Sequence, residues 1–150
     1  MSDNWIELVP EHPRFIPDAA NQRQARERLA EIAPTADEIE IKVSERVVFF
    51  NCGSNFGRIC CPSCGADIPF EWWQDRMDED YEDGFKVAAY TAPCCGKEST
   101  LNDLDYEWPQ GFGRFAIDVM NPKISKLDEK FKRELELILG TKLRVICRHL

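Results

Sequence analysis

Hydrophobic and polar residues follow a strand, helix, strand pattern over the first third of this 150-residue chain. Alternation predicts strands over 5–9 and 39–43, and the apolar run 47–50 extends the second strand or pairs with it. Between these strands, apolar residues at spacings of three and four predict a helix that begins at Ala19 and ends before Pro34. The first third therefore predicts one β-α-β unit.

The same pattern returns over the last third. Residues 115–119 alternate as a strand, and a helix is expected to begin near Lys123 or Ser125 and to end at Gly140. A final strand is predicted over 143–147. The apolar stripe of the predicted helix consists of Ile124, Leu127, Phe131, Leu135 and Ile138.

Two β-α-β units in this order predict an α+β fold of the ferredoxin-like, split β-α-β type. Such a fold has an antiparallel sheet with two helices on one face. Residues 1–57 and 112–150 would form this domain, and residues 58–111 would be a module inserted between its halves. The alternative is a single irregular α+β domain whose main core holds the cysteine clusters.

Five of the seven cysteines lie in two short clusters within the middle third. This odd, clustered set is not typical of a secreted disulfide scaffold. Cys61 and Cys64 are separated by two residues, so both thiolates can reach one ion, and the glycine that follows allows the necessary turn. A site closed by four thiolates has no open coordination position, so it would be structural. The predicted ligands of one zinc ion are Cys61, Cys64, Cys94 and Cys95.

The first cluster resembles the rubredoxin-type knuckle of zinc-ribbon proteins, and the other cluster resembles a contracted knuckle with adjacent cysteines. The resemblance implies zinc as the cofactor. The whole chain is similar to uncharacterised bacterial zinc-ribbon-containing proteins. Adjacent side chains on a strand point to opposite faces, so Cys94 and Cys95 can share an ion only if the chain turns there.

Several alternatives remain open for the cysteines. Cys60 would replace Cys94 or Cys95 as a ligand if one of that pair faced away. Cys61 and Cys64 also resemble a thioredoxin-type redox pair, and the clustered cysteines could instead be free thiols. The two isolated cysteines lie among apolar residues and are predicted to be buried thiols. They are Cys52 and Cys147.

The middle third is also strongly acidic. Residues 58–111 carry twelve acidic and four basic side chains, so this segment alone has the −8 formal charge of the whole chain. A helix is predicted to pack Phe70, Trp73 and Met77 inward and to expose its acidic face. Aromatic residues surrounded by charge are typical of a binding surface. The predicted partner-binding residues are Trp72, Asp78, Glu79, Asp80, Tyr81, Glu82 and Asp83.

Composition and motifs disfavour several functional classes. The acidic segment would repel phosphates, so direct nucleic-acid binding is not expected. No nucleophile elbow, phosphate loop or zinc-protease motif accompanies the two histidines, His12 and His149, so an enzyme is not predicted. No apolar run approaches the ~20 residues of a membrane span, and the first residues lack a secretion signal, so we expect a cytosolic protein.

These features favour an acidic, zinc-stabilised module that binds a basic protein. In size and acidity the chain is similar to bacterial immunity proteins, which inhibit cationic toxins such as nucleases. One alternative is an accessory factor of transcription or translation that acts through protein contacts. The other is an enzyme with an unrecognised site. The sequence does not indicate an oligomeric state.

Overall fold

The computed structural model describes residues 3–150, which form a mixed α+β structure. In chain order its elements are β1 (Asn4–Pro10), α1 (Ala19–Ile32), β2 (Glu38–Phe50), β3 (Ile59–Cys60), α2 (Phe70–Asp80), β4 (Ala89–Thr91), β5 (Glu98–Thr100), β6 (Asp105–Tyr106), β7 (Gly111–Met120), α3 (Glu129–Leu139) and β8 (Leu143–His149). The main sheet has the order β2-β7-β1-β8, and each neighbouring pair of strands is antiparallel.

One face of the main sheet packs against α1 and α3. Alternate residues of β1 and β7 point to this face, where they meet the apolar stripes of both helices. Complete burial of each large apolar side chain contributes about 1.5–3 kcal/mol. This first core contains Ile6, Leu8, Ala25, Leu29, Ala33, Phe115, Ile117, Val119, Leu135, Leu139 and Leu143.

The structure corrects the predicted start of α3. Asn121 and Lys123 have φ of 45° and 58°, which a right-handed helix does not allow, so the chain forms a loop first. The side chain of Asp128 then accepts a hydrogen bond from the N–H of Lys130 and caps the helix. Gly140 ends the helix in the left-handed conformation, as predicted. Two residues of the predicted stripe pack against the first core from the loop: Ile124 and Leu127.

The segment between β2 and β7 builds a second core against the end of the main sheet. It contains α2 and the two-stranded pairs β3-β6 and β4-β5. The apolar run 47–50 extends β2, with a shift in register between Val43 and Val48. Val47 and Phe112, from β2 and β7, pack into the second core with side chains of the segment. No helix within residues 3–150 combines the length and apolarity that a membrane span requires.

Candidate metal centre

The two cysteine clusters form turns of closely similar shape. In the first turn, the N–H of Gly65 donates to the carbonyl of Cys61 at 2.9 Å. In the second, the N–H of Gly96 donates to the carbonyl of Ala92 at 3.1 Å. Both glycines have φ of 76°, a left-handed conformation that favours glycine. The second turn therefore has alanine where the first has its leading cysteine.

This correspondence explains how adjacent cysteines replace a C-x-x-C pair. Cys95 occupies the position of Cys64, whereas Cys94 occupies the position of Ser63. Ala92 is buried at 4% exposure, as Cys61 is at 2%, so the second turn keeps the packing of its first residue without its thiol. Because residues 93–95 form a turn and not an extended strand, both sulfurs reach the same centre.

The four predicted ligand sulfurs lie together. All four Sγ atoms are within 4.8 Å of one another. Cys61 Sγ lies 3.8 Å from Cys95 Sγ, and Cys64 Sγ lies 3.3 Å from Cys94 Sγ. A tetrahedral zinc with 2.3 Å bonds to sulfur places its ligands about 3.8 Å apart. The donor set and its spacing therefore fit one four-coordinate metal ion.

The electrostatics of the cluster shift the pKa values of Cys61 and Cys94 in opposite directions. Backbone N–H groups of Cys64 and Ser63 donate to Cys61 and lower its pKa to about 6. The hydrogen bond with Cys64, together with burial, raises the pKa of Cys94 to about 12. Four adjacent thiolates repel one another, so a cation is needed to deprotonate the whole set.

The other three cysteines lie outside this group. The sulfur of Cys60 lies 3.7 Å from Asp67 Oδ1 and does not belong to the four-sulfur group. Cys52 is fully buried, as predicted, and Cys147 is half-buried. Burial raises the pKa of both thiols, which makes them poor nucleophiles.

Two aromatic residues of the acidic segment, Trp72 and Phe70, are arranged differently from the prediction, whereas Trp73 is buried as predicted. Trp72 is half-buried against the second core, and the Arg76 guanidinium lies 5.6 Å from its ring centre. Phe70, predicted to point inward, is 50% exposed at the start of α2. Tyr81 is 58% exposed and packs edge-on against Phe85, with ring centres 5.1 Å apart. Tyr81 is therefore the most exposed aromatic side chain of residues 58–111.

Asp80 is the last residue of α2, and its side chain packs under the loop that follows and not on the surface with the other acids. It is fully buried, and its carboxylate accepts hydrogen bonds from the N–H groups of Val87 and Ala88 at 2.8 and 2.9 Å. The hydroxyl of Tyr90 donates a third bond at 2.8 Å. Burial and the bond to Asp80 raise the pKa of Tyr90 to about 12. Asp80 also holds Val87 at φ of 54°, a strained conformation for a β-branched residue.

The remaining acids of the predicted set are exposed, and most of them pair with a base. Ion pairs between exposed side chains contribute little to stability and exchange partners readily. Asp78 forms no ion pair with another residue in the range 3–150. The pairs are Glu79 with Arg76, Glu82 with Lys86, and Asp83 with Arg46, at 2.8, 2.9 and 2.9 Å.

Sequence reasoning missed a pair of buried carboxylates on the sheet face opposite the helices. Glu7 and Asp118 are direct cross-strand partners, with 2% and 3% exposure. Lys42 pairs with Asp118, and Arg148 pairs with Glu7. Burial, and then the neighbouring Asp118, raise the pKa of Glu7 to about 8. The alternation of apolar and polar residues along β1 and β7 assigned both acids to the polar faces of their strands. Only the register between β1 and β7 brings the two acids together.

Raising the pH is expected to lower the stability of the protein through Glu7. Its pKa rises from 4.5 to about 8 on folding, so the folded state binds the proton more tightly. This contribution to stability is fully present below about pH 4.5 and is lost as the pH rises to about 8. The urea-unfolding midpoint of Glu7→Gln should depend less on pH across this window. The control Glu27→Gln, at an exposed position of α1, should keep the original slope, and an unchanged slope in Glu7→Gln would contradict the assignment.

Three features of the structure have distinctive chemistry. They are the four clustered sulfurs, the exposed acids around Tyr81 and the buried carboxylate pair. Comparisons with protein-family models, curated proteins and solved structures found no match to this chain.

Proposed function

We propose that one structural zinc ion is held by Cys61, Cys64, Cys94 and Cys95. The observation that carries this proposal is the set of four sulfurs within 4.8 Å of one another, at the spacing of a tetrahedral site. Four thiolates in this geometry favour zinc or iron, and the closed ligand set favours a structural role. Elemental analysis of purified protein should find about one zinc per chain. Iron in place of zinc would contradict the proposal.

We infer that the chain follows the ferredoxin-like plan with a zinc-ribbon-like insertion at 58–111. The strand order β2-β7-β1-β8 and the shared core of α1 and α3 support the first part. The paired glycine turns around the four sulfurs support the second. The inserted segment packs on the end of the main sheet, so the zinc would stabilise a surface that the sheet holds in place.

We propose that this surface binds a basic protein. The acidic surface consists of Asp78, Glu79, Glu82 and Asp83 around Tyr81. Its carboxylates would attract a cationic partner, and Tyr81 would provide the aromatic contact that a binding hot spot needs. Arg46 and Lys86, which pair with Asp83 and Glu82, are themselves exposed, so a partner's lysines or arginines can replace them. Arg76, which pairs with Glu79, is half-buried against Trp72 and would remain in place.

The narrowest form of this proposal is an immunity protein that inhibits a cationic toxin such as a nuclease. The size and acidity of the chain support it by analogy. A cytosolic location would suit the zinc site, because a reducing compartment keeps thiolates available as metal ligands. The identity of the partner distinguishes this form from an accessory role in transcription or translation.

The test is affinity purification from the native cell with the parent chain and two variants of equal net charge. One variant reverses the acidic surface and the other reverses exposed acids of α1 and β2. The surface reversals are Asp78→Lys, Glu79→Lys, Glu82→Lys and Asp83→Lys. The control reversals are Glu27→Lys, Glu38→Lys, Glu40→Lys and Glu45→Lys.

A basic protein should co-purify with the parent and with the control variant but not with the surface variant. In surface plasmon resonance, the surface reversals should lower the association rate about tenfold at low salt and remove most of its salt dependence. Tyr81→Ala should instead raise the dissociation rate, because a packed anchor is lost. Equal losses in both charge variants, or a nucleic acid as the preferred ligand, would contradict the proposal.

A further inference from the structure

A groove of about 940 Å³ lies at one end of the main sheet, and none of the four clustered cysteines lines it. It is bounded by the start of β1, the turn after β7 and the end of β8. Its walls include two tryptophans, Trp5 and Trp108, and the second is 42% exposed. Small-molecule sites typically have volumes of about 300–1,000 Å³, aromatic walls and a few polar groups.

The main polar group in this groove is the guanidinium of Arg148. It lies over the ring of Trp5, 4.2 Å from the ring centre, and its Nε is 3.3 Å from Glu7 Oε1. This Nε is buried and has no hydrogen-bond partner among residues 3–150. The guanidinium of Arg148 is therefore held over the indole of Trp5, and this contact fixes its orientation in the absence of a ligand.

The acids that line the groove are already bound to other side chains. Asp37 accepts from the amide of Asn121 at 2.8 Å and from Lys123 at 3.2 Å. The amide of Asn121 also donates to Asp3 at 3.0 Å. Neither acid of the groove wall forms an ion pair with Arg148, which pairs with Glu7 alone among residues 3–150.

At neutral pH the buried groups behind Arg148 do not compensate its positive charge. Asp118 from β7, Lys42 from β2 and Arg148 from β8 face Glu7, and burial raises the pKa of Glu7 to about 8. With Glu7 protonated, Arg148 lacks its nearest counterion, because Asp118, the other carboxylate of the cluster, pairs with Lys42. Ionisation of Glu7 at higher pH would supply one.

We propose that this groove binds a small planar monoanion of the aromatic carboxylate class. The carboxylate pairs with the Arg148 guanidinium, which is suited to bidentate contact with two oxygens. The ring packs against the indoles of Trp5 and Trp108, in the offset or edge-on arrangements that aromatic pairs favour. A single available guanidinium matches a single negative charge, whereas a polyphosphate would need several cations.

The test is isothermal titration of the purified 150-residue protein with three probes. Indole-3-carboxylate is the aromatic anion, indole-3-carboxamide is its neutral isostere, and inorganic phosphate is an anion without a ring. We expect saturable binding of the carboxylate, at least about tenfold tighter than binding of either control, because a charge-assisted pair is lost with the amide. Equal binding of the amide or of phosphate would overturn the proposal, as would no saturable binding at millimolar probe.

Variants separate the contributions of the charge and the ring. Arg148→Gln should weaken binding of the carboxylate about tenfold or more and leave the weak binding of the amide unchanged. Trp108→Ala, at an exposed position that cannot disturb the buried acids, should weaken binding of both indole probes. The control Arg133→Gln, on α3 outside the groove, should bind as the parent does. Retention of carboxylate affinity in Arg148→Gln and in Trp108→Ala would overturn the proposal.

The pH dependence gives an independent check of the same site. Affinity for indole-3-carboxylate should fall as the pH rises past about 8, where Glu7 ionises and competes for Arg148. In Glu7→Gln the affinity should stay constant over this range, because residue 7 no longer acquires charge. An affinity of the parent protein that does not change with pH would contradict the arrangement of Glu7 behind Arg148.

Discussion

Replacing Cys61 or Cys64 with serine is expected to release the metal and to unfold the second core. Cys61 is 2% exposed and packs within that core, so its loss removes both a ligand and a buried contact. Metal binding is coupled to folding in such sites, because the ligands converge only when the chain is folded. We expect the melting temperature to fall by on the order of 10 °C and the zinc content to fall below half an ion per chain.

Cys60→Ser is the matched control for this experiment, because it changes a cysteine beside the site that lies outside the four-sulfur group. It should keep one zinc per chain and the melting temperature of the parent. Loss of zinc from Cys60→Ser, or full retention of zinc in Cys61→Ser, would contradict the ligand assignment. Robust disulfide-reductase activity of the metal-free protein, with its fold retained, would instead favour the redox interpretation of Cys61 and Cys64.

Asp80→Ala should destabilise the protein by about 3 kcal/mol or more, since it removes three hydrogen bonds to a buried carboxylate. The N–H groups of Val87 and Ala88 would lose their acceptors, and the strained conformation of Val87 would lose its support. In a chain of this size the melting temperature should fall by roughly 6–12 °C. Differential scanning calorimetry measures this change.

Asp78→Ala provides the comparison for Asp80→Ala, since Asp78 is two residues earlier on the same helix and is exposed. Its effect should stay within about 0.5 kcal/mol, as is usual for surface substitutions. Hydrogen exchange should locate the damage in Asp80→Ala at the amides of Val87 and Ala88. If the two variants prove equally stable, the buried role of Asp80 is wrong.

The alternation of apolar residues determined much of this fold by itself. It placed α1 and β8 close to their observed bounds and put Gly140 at the end of α3, because these features depend on local periodicity and on the φ that glycine allows. The cysteine spacing identified the four clustered sulfurs for the same kind of reason. The turn at Cys61–Gly65 is closed by bonds within the run itself, so the spacing of its two cysteines was enough to predict that their sulfurs lie together.

Other features depended on which distant residues meet, and the tertiary structure alone decided them. The sulfurs of Cys94 and Cys95 meet those of Cys61 and Cys64 because the second turn packs opposite the first, about 30 residues away along the chain. Glu7 and Asp118 are separated by more than a hundred residues and form a buried pair only through strand register. Asp80 resembles many other acids in the sequence, yet burial is a property of the packed loop and not of the helical pattern. A pattern along the chain shows which way a side chain points, but what it meets depends on elements far away in the sequence.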